Sequence, residues 1–237
     1  YRGKSVGQWG DIATLSFYPA HNITTGEGGA VFTKSGPLKK ILESLRDWGR
    51  DCWCAPGKDN TCGKRFDWHL DPLPPGYDHK YIYSRLGFNL KMTDMQAALG
   101  LSQLSHLPNF VTARKRNFAH LKQGLEKFSR LLTLPQATAG SDPAWFGFPI
   151  TIAADAPFDR KRLIDHLYGK RIDSRLLFGG NLTRQPYMQH YTYRVHDAIP
   201  VSDTIMARTF WIGVYPGLTP MMLDYVLETL TEFLKEF

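Results

Sequence analysis

Three cysteines lie within eleven residues of this 237-residue chain, at Cys52, Cys54 and Cys62. Thiols that cluster so tightly are typical of sites for a soft metal ion or an iron–sulfur centre. Their odd number, in a sequence without a recognisable secretory signal, argues against a disulfide framework. Three thiols are one short of the usual four. Spacing alone therefore leaves three alternatives open: an iron–sulfur centre, a zinc site completed by His69, or free thiols.

A second candidate is His21, in the segment SFYPAHNITTGEGGAVF. The pattern predicts a strand, a tight turn and a glycine-bearing turn into another strand, which exposes side chains at a sheet edge where α/β proteins bind ligands. Ser16 offers a hydroxyl suited to an anionic group, and an imidazole is suited to general base chemistry near neutral pH. A lone histidine in a turn is more often structural than catalytic, so the residues alone leave both alternatives open.

The elements that must position these residues follow from hydrophobic periodicity and turn signals. Strands that alternate with helices predict an α/β or α+β fold. Pro37 suits a first helical turn, and Thr93 with Gln96 forms a capping-box pattern. The predicted order is strand 12–17, strand 30–33, helix 37–48, loop 49–88, helices 93–104 and 109–128, strand 145–152, helix 158–169, strands 173–178 and 210–216, and helix 220–237.

Composition bounds the partners and the domain organisation. The net charge is +7, but Lys and Arg are spread along the chain and do not interleave with aromatic residues as in nucleic-acid motifs. We therefore predict no nucleic-acid partner, and a basic pocket for an anionic substrate fits the charge equally well. No apolar run approaches the roughly 20 residues that cross a bilayer, so we predict a cytoplasmic protein without a membrane partner. A composition shift near residues 131–143 predicts two domains, 1–130 and 131–237.

The segment around His21 resembles the cofactor-lysine segment of the DegT/DnrJ/EryC1/StrS sugar aminotransferases, a branch of the fold-type-I pyridoxal phosphate enzymes. His21 stands where that pattern has its Schiff-base lysine. This replacement resembles the 3-dehydrases of 4-keto-6-deoxy sugar nucleotides, which use pyridoxamine phosphate as a noncovalent coenzyme. The matching anchor residues are Ser16, Phe17, Asn22, Ile23, Thr24, Gly26, Glu27, Gly28 and Gly29.

The resemblance implies a fold class: the C-terminal portion of an aspartate aminotransferase-like enzyme, with part of the large domain (1–130, including the Cys-rich loop 49–88) and the small C-terminal α/β domain (131–237). It also implies roles for further residues. His21 would be the catalytic base, and Ser16 would hold the cofactor phosphate. Tyr18 would lie near the cofactor ring as a second catalytic residue that assists proton or electron movement, and a structural role for this tyrosine is the alternative. Asn89, in a segment similar to the family's GYNxRMTDIQAA, would reach the cofactor phosphate of a partner subunit, which implies a homodimer.

The strings RDWGRDCWCAPG and DNTCGKRF resemble the [2Fe–2S] loop of the iron–sulfur members of that dehydrase subgroup, which act on a CDP-4-keto-6-deoxyhexose. The resemblance makes Cys52, Cys54 and Cys62 three of four cluster ligands and predicts the fourth cysteine upstream of residue 1. Lys58 stands where relatives have a cysteine that is not a ligand. An NADH-dependent iron–sulfur/flavin reductase is implied as the electron source.

The expected function is thus C3 deoxygenation of a CDP-4-keto-6-deoxyhexose in 3,6-dideoxyhexose and O-antigen biosynthesis. We expect the chain by itself to be inactive, since the rest of the large domain would lie upstream. The alternatives are a pyridoxal-phosphate-dependent sugar-nucleotide aminotransferase and a noncatalytic zinc-binding module. Arg175 and Arg184 are weaker candidates for contacts to a diphosphate or to sugar hydroxyls.

Overall fold

The computed structural model describes residues 1–54 and 57–237 of the chain. Ala55 and Pro56, which belong to the Cys-rich string, lie outside the described residues. The chain divides into two compact units, Tyr1–Ser105 and His106–Phe237. The domain boundary that the sequence predicts at residues 130/131 stays a prediction.

A two-stranded antiparallel hairpin carries the His21 segment. Strand β1 (Ile12–Ser16) pairs with β2 (Gly29–Thr33) in a register that runs from Ile12 opposite Thr33 to Ser16 opposite Gly29. Both strands form where the sequence predicts them. The twelve residues between the strands form the connecting loop, so the candidate base lies at one end of the hairpin.

Helix α1 (Gly36–Arg46) follows the hairpin. The Ser35 hydroxyl accepts a hydrogen bond from the Leu38 amide at 3.4 Å, and a proline occupies the first turn as the sequence predicts. The helix ends two residues before the predicted position, where Trp48 and Gly49 adopt positive φ angles of 59° and 86°. That left-handed conformation stops the helix and directs the chain into the Cys-rich segment.

The second helix, α2 (Asp94–Leu125), is one continuous element rather than the two predicted helices. Pro108, which has no amide hydrogen to donate, lies inside the helix. Only one helical hydrogen bond is lost in this way, and the Thr112 hydroxyl donates to the Pro108 carbonyl at 3.0 Å. Buried side chains in the later turns hold the helix by packing, so one missing bond does not end it.

The second unit, His106–Phe237, is built around a four-stranded antiparallel sheet in the order β3-β4-β6-β5. Its strands are β3 (Leu132–Thr133), β4 (Gly147–Ile152), β5 (Arg175–Leu176) and β6 (Thr209–Gly213). Its other helices are α3 (Arg160–Gly169), α4 (Pro200–Arg208) and α5 (Pro220–Leu234). Short 3-10 turns lie at Val6–Gln8, His79–Tyr81, Glu126–Phe128, Leu182–Arg184 and Pro186–His190.

The predicted strand 173–178 shrinks to the two residues of β5. Phe178 has a positive φ of 49°, and its amide bonds to the Leu176 carbonyl at 2.6 Å. This tight turn ends the pairing at once. Strand β5 lies at the edge of the sheet and both of its residues are exposed. Burial therefore does not extend the strand over the hydrophobic residues from which its length was predicted.

The hydrophobic core lies in the second unit. Among the described residues, Ile82 is the one buried apolar side chain that belongs to the first unit. Each fully buried side chain of this size contributes about 1.5–3 kcal/mol relative to exposure. The fully buried ones include Phe148, Phe210, Leu121, Leu163 and Leu230. None of the helices formed by the described residues has the length and apolar character that a bilayer crossing requires.

Candidate active site and metal centre

The residues predicted for catalysis meet at the end of the hairpin. Ser16 is the last residue of β1, and its Oγ accepts a hydrogen bond from the Tyr18 amide at 3.3 Å. The His21 amide donates to the Tyr18 carbonyl at 2.9 Å. The Tyr18 and His21 rings meet edge to face, with centroids 6.0 Å apart. Ser16, Tyr18 and His21 are thus brought together on one turn.

Backbone and hydroxyl hydrogen bonds hold this turn against the hairpin. The Phe17 amide donates to the Gly28 carbonyl at 2.9 Å. The Phe17 carbonyl accepts from the Thr25 amide at 3.1 Å and from the Thr24 hydroxyl at 2.9 Å. These bonds close the loop across its base, so the His21 turn is built on a fixed frame.

Two glycines let other parts of the first unit approach this loop. A Cβ on Gly28 would lie 2.5 Å from the Thr25 hydroxyl and 2.9 Å from the Met92 methyl, and a Cβ on Gly100 in α2 would lie 2.9 Å from Thr25. At such distances an added side chain would force Thr25 or Met92 to shift. The side-chain amide of Gln96 also donates to the Glu27 carbonyl at 2.9 Å. The start of α2 therefore packs directly on the loop that carries His21.

The segment Asp78–Tyr83 positions the cysteines. It contacts the backbone next to Cys52 on one side and the segment that carries Cys62 on the other. On one side, the Asp51 amide donates to the Ile82 carbonyl at 3.0 Å, and Arg50 forms a β-bridge with Tyr83. This pairing fixes the backbone next to Cys52. Ile82 is nearly fully buried, at 3% exposure, and anchors the segment.

On the other side, ion pairs fix the segment that carries Cys62. Arg65 donates to the Asp78 carboxylate through Nε at 2.9 Å and through its terminal nitrogen at 2.7 Å. Lys80 pairs with Asp59, and the Arg65 carbonyl accepts from the His79 amide at 3.0 Å. The Arg65 guanidinium lowers the pKa of the Asp78 carboxyl. Two segments distant in sequence are thus clamped around the thiols.

The histidine that the structure brings to the thiols is His79, not His69. Its Nε2 lies 3.7 Å from Cys52 Sγ and 3.6 Å from Cys62 Sγ. The ligand atoms of Cys52, Cys54 and His79 all lie within 4.8 Å of one another. His69 is exposed, so the predicted zinc site with His69 as fourth ligand is wrong in that residue. The loop holds two histidines, and only their long-range contacts distinguish them.

The thiols differ in their surroundings. Hydrogen bonding, chiefly from the Thr61 hydroxyl and the Cys62 backbone, lowers the pKa of Cys54 to about 7, whereas burial raises the pKa of Cys52. A cavity of about 230 Å³ opens beside Cys52 and Cys54. Its charged lining residues are Asp47, Arg50, Lys58, Asp59, Lys80 and Lys91.

The remaining candidates lie elsewhere. Asn89 is exposed and forms an isolated β-bridge with Asp47, and its predicted role across a dimer stays a prediction. Arg175 pairs with Asp173, and Arg184 makes a bidentate pair with Asp203. Both guanidinium groups are thus already engaged by carboxylates in the second unit, and their predicted anion contacts also stay predictions.

The residues fit the two groups that the sequence suggests. Three thiols converge around His79, and such a set of thiols is a donor set for thiophilic metals and iron–sulfur centres. The hairpin end presents the exposed Ser16 hydroxyl beside Tyr18 and the half-buried His21, and this combination suits an anionic group next to a proton acceptor.

Both the fold and the sequence place the chain in one class. The structure matches Escherichia coli GDP-4-keto-6-deoxy-D-mannose-3-dehydratase with bound hydrated PLP at a TM-score of 0.81, with 23% identity, over 97% of this chain and 57% of that one. The predicted fold class, the C-terminal portion of an aspartate aminotransferase-like enzyme, is therefore confirmed. Residues 1–231 match the model of the DegT/DnrJ/EryC1/StrS aminotransferase family, and the chain belongs to that family.

Two curated relatives share well over half of their aligned residues with this chain. The dTDP-4-dehydro-2,6-dideoxy-D-glucose 3-dehydratase of Saccharopolyspora spinosa is 59% identical over 236 residues, which cover 100% of this chain and 51% of the relative. The lipopolysaccharide biosynthesis protein RfbH of Salmonella typhimurium is 60% identical over 233 residues, covering 98% and 53%. The chain thus spans about half the length of these relatives.

Proposed function

We propose that this chain is part of a pyridoxamine-phosphate-dependent 3-dehydratase of 4-keto-6-deoxy sugar nucleotides. The observation that carries the proposal is His21 on the hydrogen-bonded turn after β1, at the position where the family's aminotransferases have a lysine. An imidazole cannot form a Schiff base, but it can accept a proton. The 59%-identical relative, itself named a 3-dehydratase, supports this choice over amino transfer.

The parts of the turn take distinct roles in this proposal. When bound, the coenzyme supplies an amine for the sugar ketone and an electron sink for loss of the neighbouring hydroxyl. His21 acts as the base and holds a proton at a ring nitrogen. Tyr18 orients that ring through its edge-on contact, and Ser16 donates its hydroxyl hydrogen to the phosphate, since its oxygen already accepts from the Tyr18 amide.

We further propose that Cys52, Cys54 and Cys62 bind a [2Fe–2S] cluster, with a fourth cysteine supplied from outside this chain. The proposal rests on the convergence of the two thiol-bearing segments, one with Cys52 and Cys54 and one with Cys62, around Asp78–Tyr83. The cluster would pass single electrons from an NADH-dependent iron–sulfur/flavin reductase. The proposed substrate is a CDP-4-keto-6-deoxyhexose, and the proposed assembly is a homodimer in which Asn89 reaches the partner's coenzyme phosphate.

The test of the base is His21→Asn in the full-length protein. We expect dehydration of the keto sugar to be lost by about 10²-fold or more, because a general base typically contributes 10²–10⁴-fold. Coenzyme binding, followed by its absorbance, should change little, since the Ser16 hydroxyl is untouched. His196→Asn, at an exposed position, is the matched control and should retain full activity.

Three outcomes would contradict the proposal. Undiminished turnover in His21→Asn would remove His21 as the base. Transfer of an amino group from glutamate by the unsubstituted protein would identify an aminotransferase. Zinc instead of iron and sulfide, measured after anaerobic purification, would point to the zinc alternative for the thiols and leave the His21 assignment untouched.

A further inference from the structure

His79 is the buried polar side chain closest to the cysteines. It has no solvent exposure, and its Nε2 lies 3.7 Å from Cys52 Sγ and 3.6 Å from Cys62 Sγ. Both distances are in the range for a hydrogen bond to sulfur. One ring nitrogen therefore faces two of the three thiols at once.

The surroundings of the other ring nitrogen, Nδ1, indicate whether Nε2 carries the hydrogen. In the part of the chain that the structure describes, the buried Nδ1 of His79 has no hydrogen-bond partner. A metal-ligating histidine almost always donates its second N–H to a carboxylate, carbonyl or water. An Nδ1–H would be a buried donor without an acceptor and would turn the Nε2 lone pair toward the sulfurs of ligating thiolates, which can only accept. A hydrogen on Nε2 instead lies within hydrogen-bond distance of those sulfurs. The hydrogen therefore belongs on Nε2, and the ring faces the sulfurs as a donor rather than as a ligand.

The surroundings keep the ring in this orientation. The Trp68 ring packs edge-on at 5.0 Å between centroids, and the Trp53 ring does so at 6.2 Å. The backbone of His79 is tied to the Arg65 carbonyl, and the neighbouring Asp78 caps the 3-10 turn that His79 begins. A ring held on three sides by aromatic and backbone contacts has little freedom to swing Nε2 away from the sulfurs.

We propose that His79 is a positioning residue that donates its Nε2–H to the Cys52 and Cys62 sulfurs and thereby raises the reduction potential of the cluster bound there. The inference rests on the proposed [2Fe–2S] site. A hydrogen bond to a ligating sulfur withdraws electron density and favours the reduced, more negative cluster. The ring thus sets how readily the centre accepts an electron, without touching the substrate.

The test compares His79→Leu and His79→Gln in the full-length, anaerobically purified protein. The leucine removes the donor, whereas glutamine keeps an N–H near the position of Nε2. We expect both variants to retain iron and sulfide. In an EPR-monitored redox titration, the reduction equilibrium of His79→Leu should shift tenfold toward the oxidised form, which is about 59 mV for one electron. His79→Gln should restore most of the shift, and His69→Leu, at the exposed histidine of the same loop, should show none.

The outcomes separate this inference from the function on which it rests. An unchanged potential in His79→Leu would reduce His79 to a packing role and overturn the inference. Loss of iron from His79→Leu in a protein that keeps its circular dichroism would make His79 a ligand and also overturn it. An unsubstituted protein without iron would instead refute the proposed [2Fe–2S] site.

A second measurement does not depend on a folded variant. Long-range ¹H–¹⁵N spectra of the unsubstituted full-length protein report which ring nitrogen of a histidine carries the hydrogen. We expect the Nε2–H form for His79. The Nδ1–H form would overturn the inference even if every substitution at this buried site prevented folding.

Discussion

Asp203 shows how a surface carboxylate in the second unit is tied to its neighbours. It accepts from Arg184 through Nε at 3.1 Å and through a terminal nitrogen at 2.9 Å, and from the Asn181 side chain at 2.7 Å. The Arg184 guanidinium, with help from Asn181, lowers the pKa of Asp203 to about 2. Three donors on one carboxylate link the 3-10 turn Leu182–Arg184 to α4.

This pKa predicts an acid-dependent contribution to stability. A folded-state pKa below the unfolded value of about 3.9 stabilises the fold above that pH, and the contribution is lost as the pH falls toward about 2. Asp203→Asn should therefore lower the thermal midpoint at pH 7. The difference from the unsubstituted chain should shrink between about pH 4 and pH 2 in melts followed by circular dichroism. A difference that stays constant over this window would contradict the prediction.

At the same scale, the sequence predicted the spatial neighbours of a residue where they are close in sequence and missed them where they are distant. Ser16, Tyr18 and His21 are close in sequence, so a local turn was enough to predict that they lie together. His79 was missed because its contacts to Cys52 and Cys62 span 27 and 17 residues. A loop without periodicity gives no signal for such pairings, although the acidic Asp78 before His79 marks a local cap.

At the scale of the elements, two loop segments that follow α1 in sequence cross in close backbone contact. One contains Gly49 and the other contains Gly87. A Cβ on Gly87 would lie 2.3 Å from the Gly49 nitrogen and 2.7 Å from the Trp48 carbonyl carbon, and a Cβ on Gly49 would lie 1.8 Å from the Arg85 oxygen. All of these atoms are backbone, so none can rotate away. The Trp48 amide donates to the Phe88 carbonyl at 2.8 Å across the same contact. This crossing aligns the start of the Cys-rich segment with its end.

Gly87→Ala should therefore destabilise the first unit by about 1–3 kcal/mol or more, which is the usual cost of overpacking. Chemical denaturation followed by tryptophan fluorescence measures the change, since Trp48 lies at the crossing. Gly36→Ala is the matched control, because a Cβ at Gly36 meets nothing within 4 Å. Equal midpoints for the two variants would show that the backbone relaxes without cost.

The elements themselves were predicted where local chemistry decides them. The Thr93 hydroxyl accepts from the Gln96 amide at 3.3 Å, and the Gln96 side chain accepts from the Thr93 amide at 3.0 Å, which is the predicted capping box. The predicted separation into helices 93–104 and 109–128 was wrong, because packing of the buried side chains outweighs the one hydrogen bond lost at Pro108. Local signals fix helix starts well, but tertiary contacts decide where helices and edge strands stop.

At the scale of the whole molecule, the two units differ in how well they bury their strands. In the second unit, β4 and β6 pair from Gly147 opposite Gly213 to Thr151 opposite Thr209, and their inward side chains are fully buried. In the first unit, the large apolar side chains of β1 and β2 stay about half exposed: Ile12, Leu15, Val31 and Phe32. The stability of the chain is thus concentrated in the second unit.

Hydrogen exchange should reveal this asymmetry. Local opening free energies range from near zero to the global value, and they follow buried apolar contact. Amides of β6 should exchange about a hundredfold or more slowly than amides of β1 when the chain is followed by mass spectrometry. Equal protection of the two strands would mean that the hairpin is covered in solution, for example by association.

The cavity beside Cys52 and Cys54 contains four cationic side chains and only two carboxylates. The resulting positive electrostatic potential favours the approach of anions to the sulfurs over that of cations. Negatively charged reagents will gather at its mouth and free metal cations will be turned away, until added salt screens the effect over about 10 Å. An anionic alkylating agent should thus outpace a neutral one of the same size at these thiols, and iron should enter more readily in an anionic complex than as the bare ion.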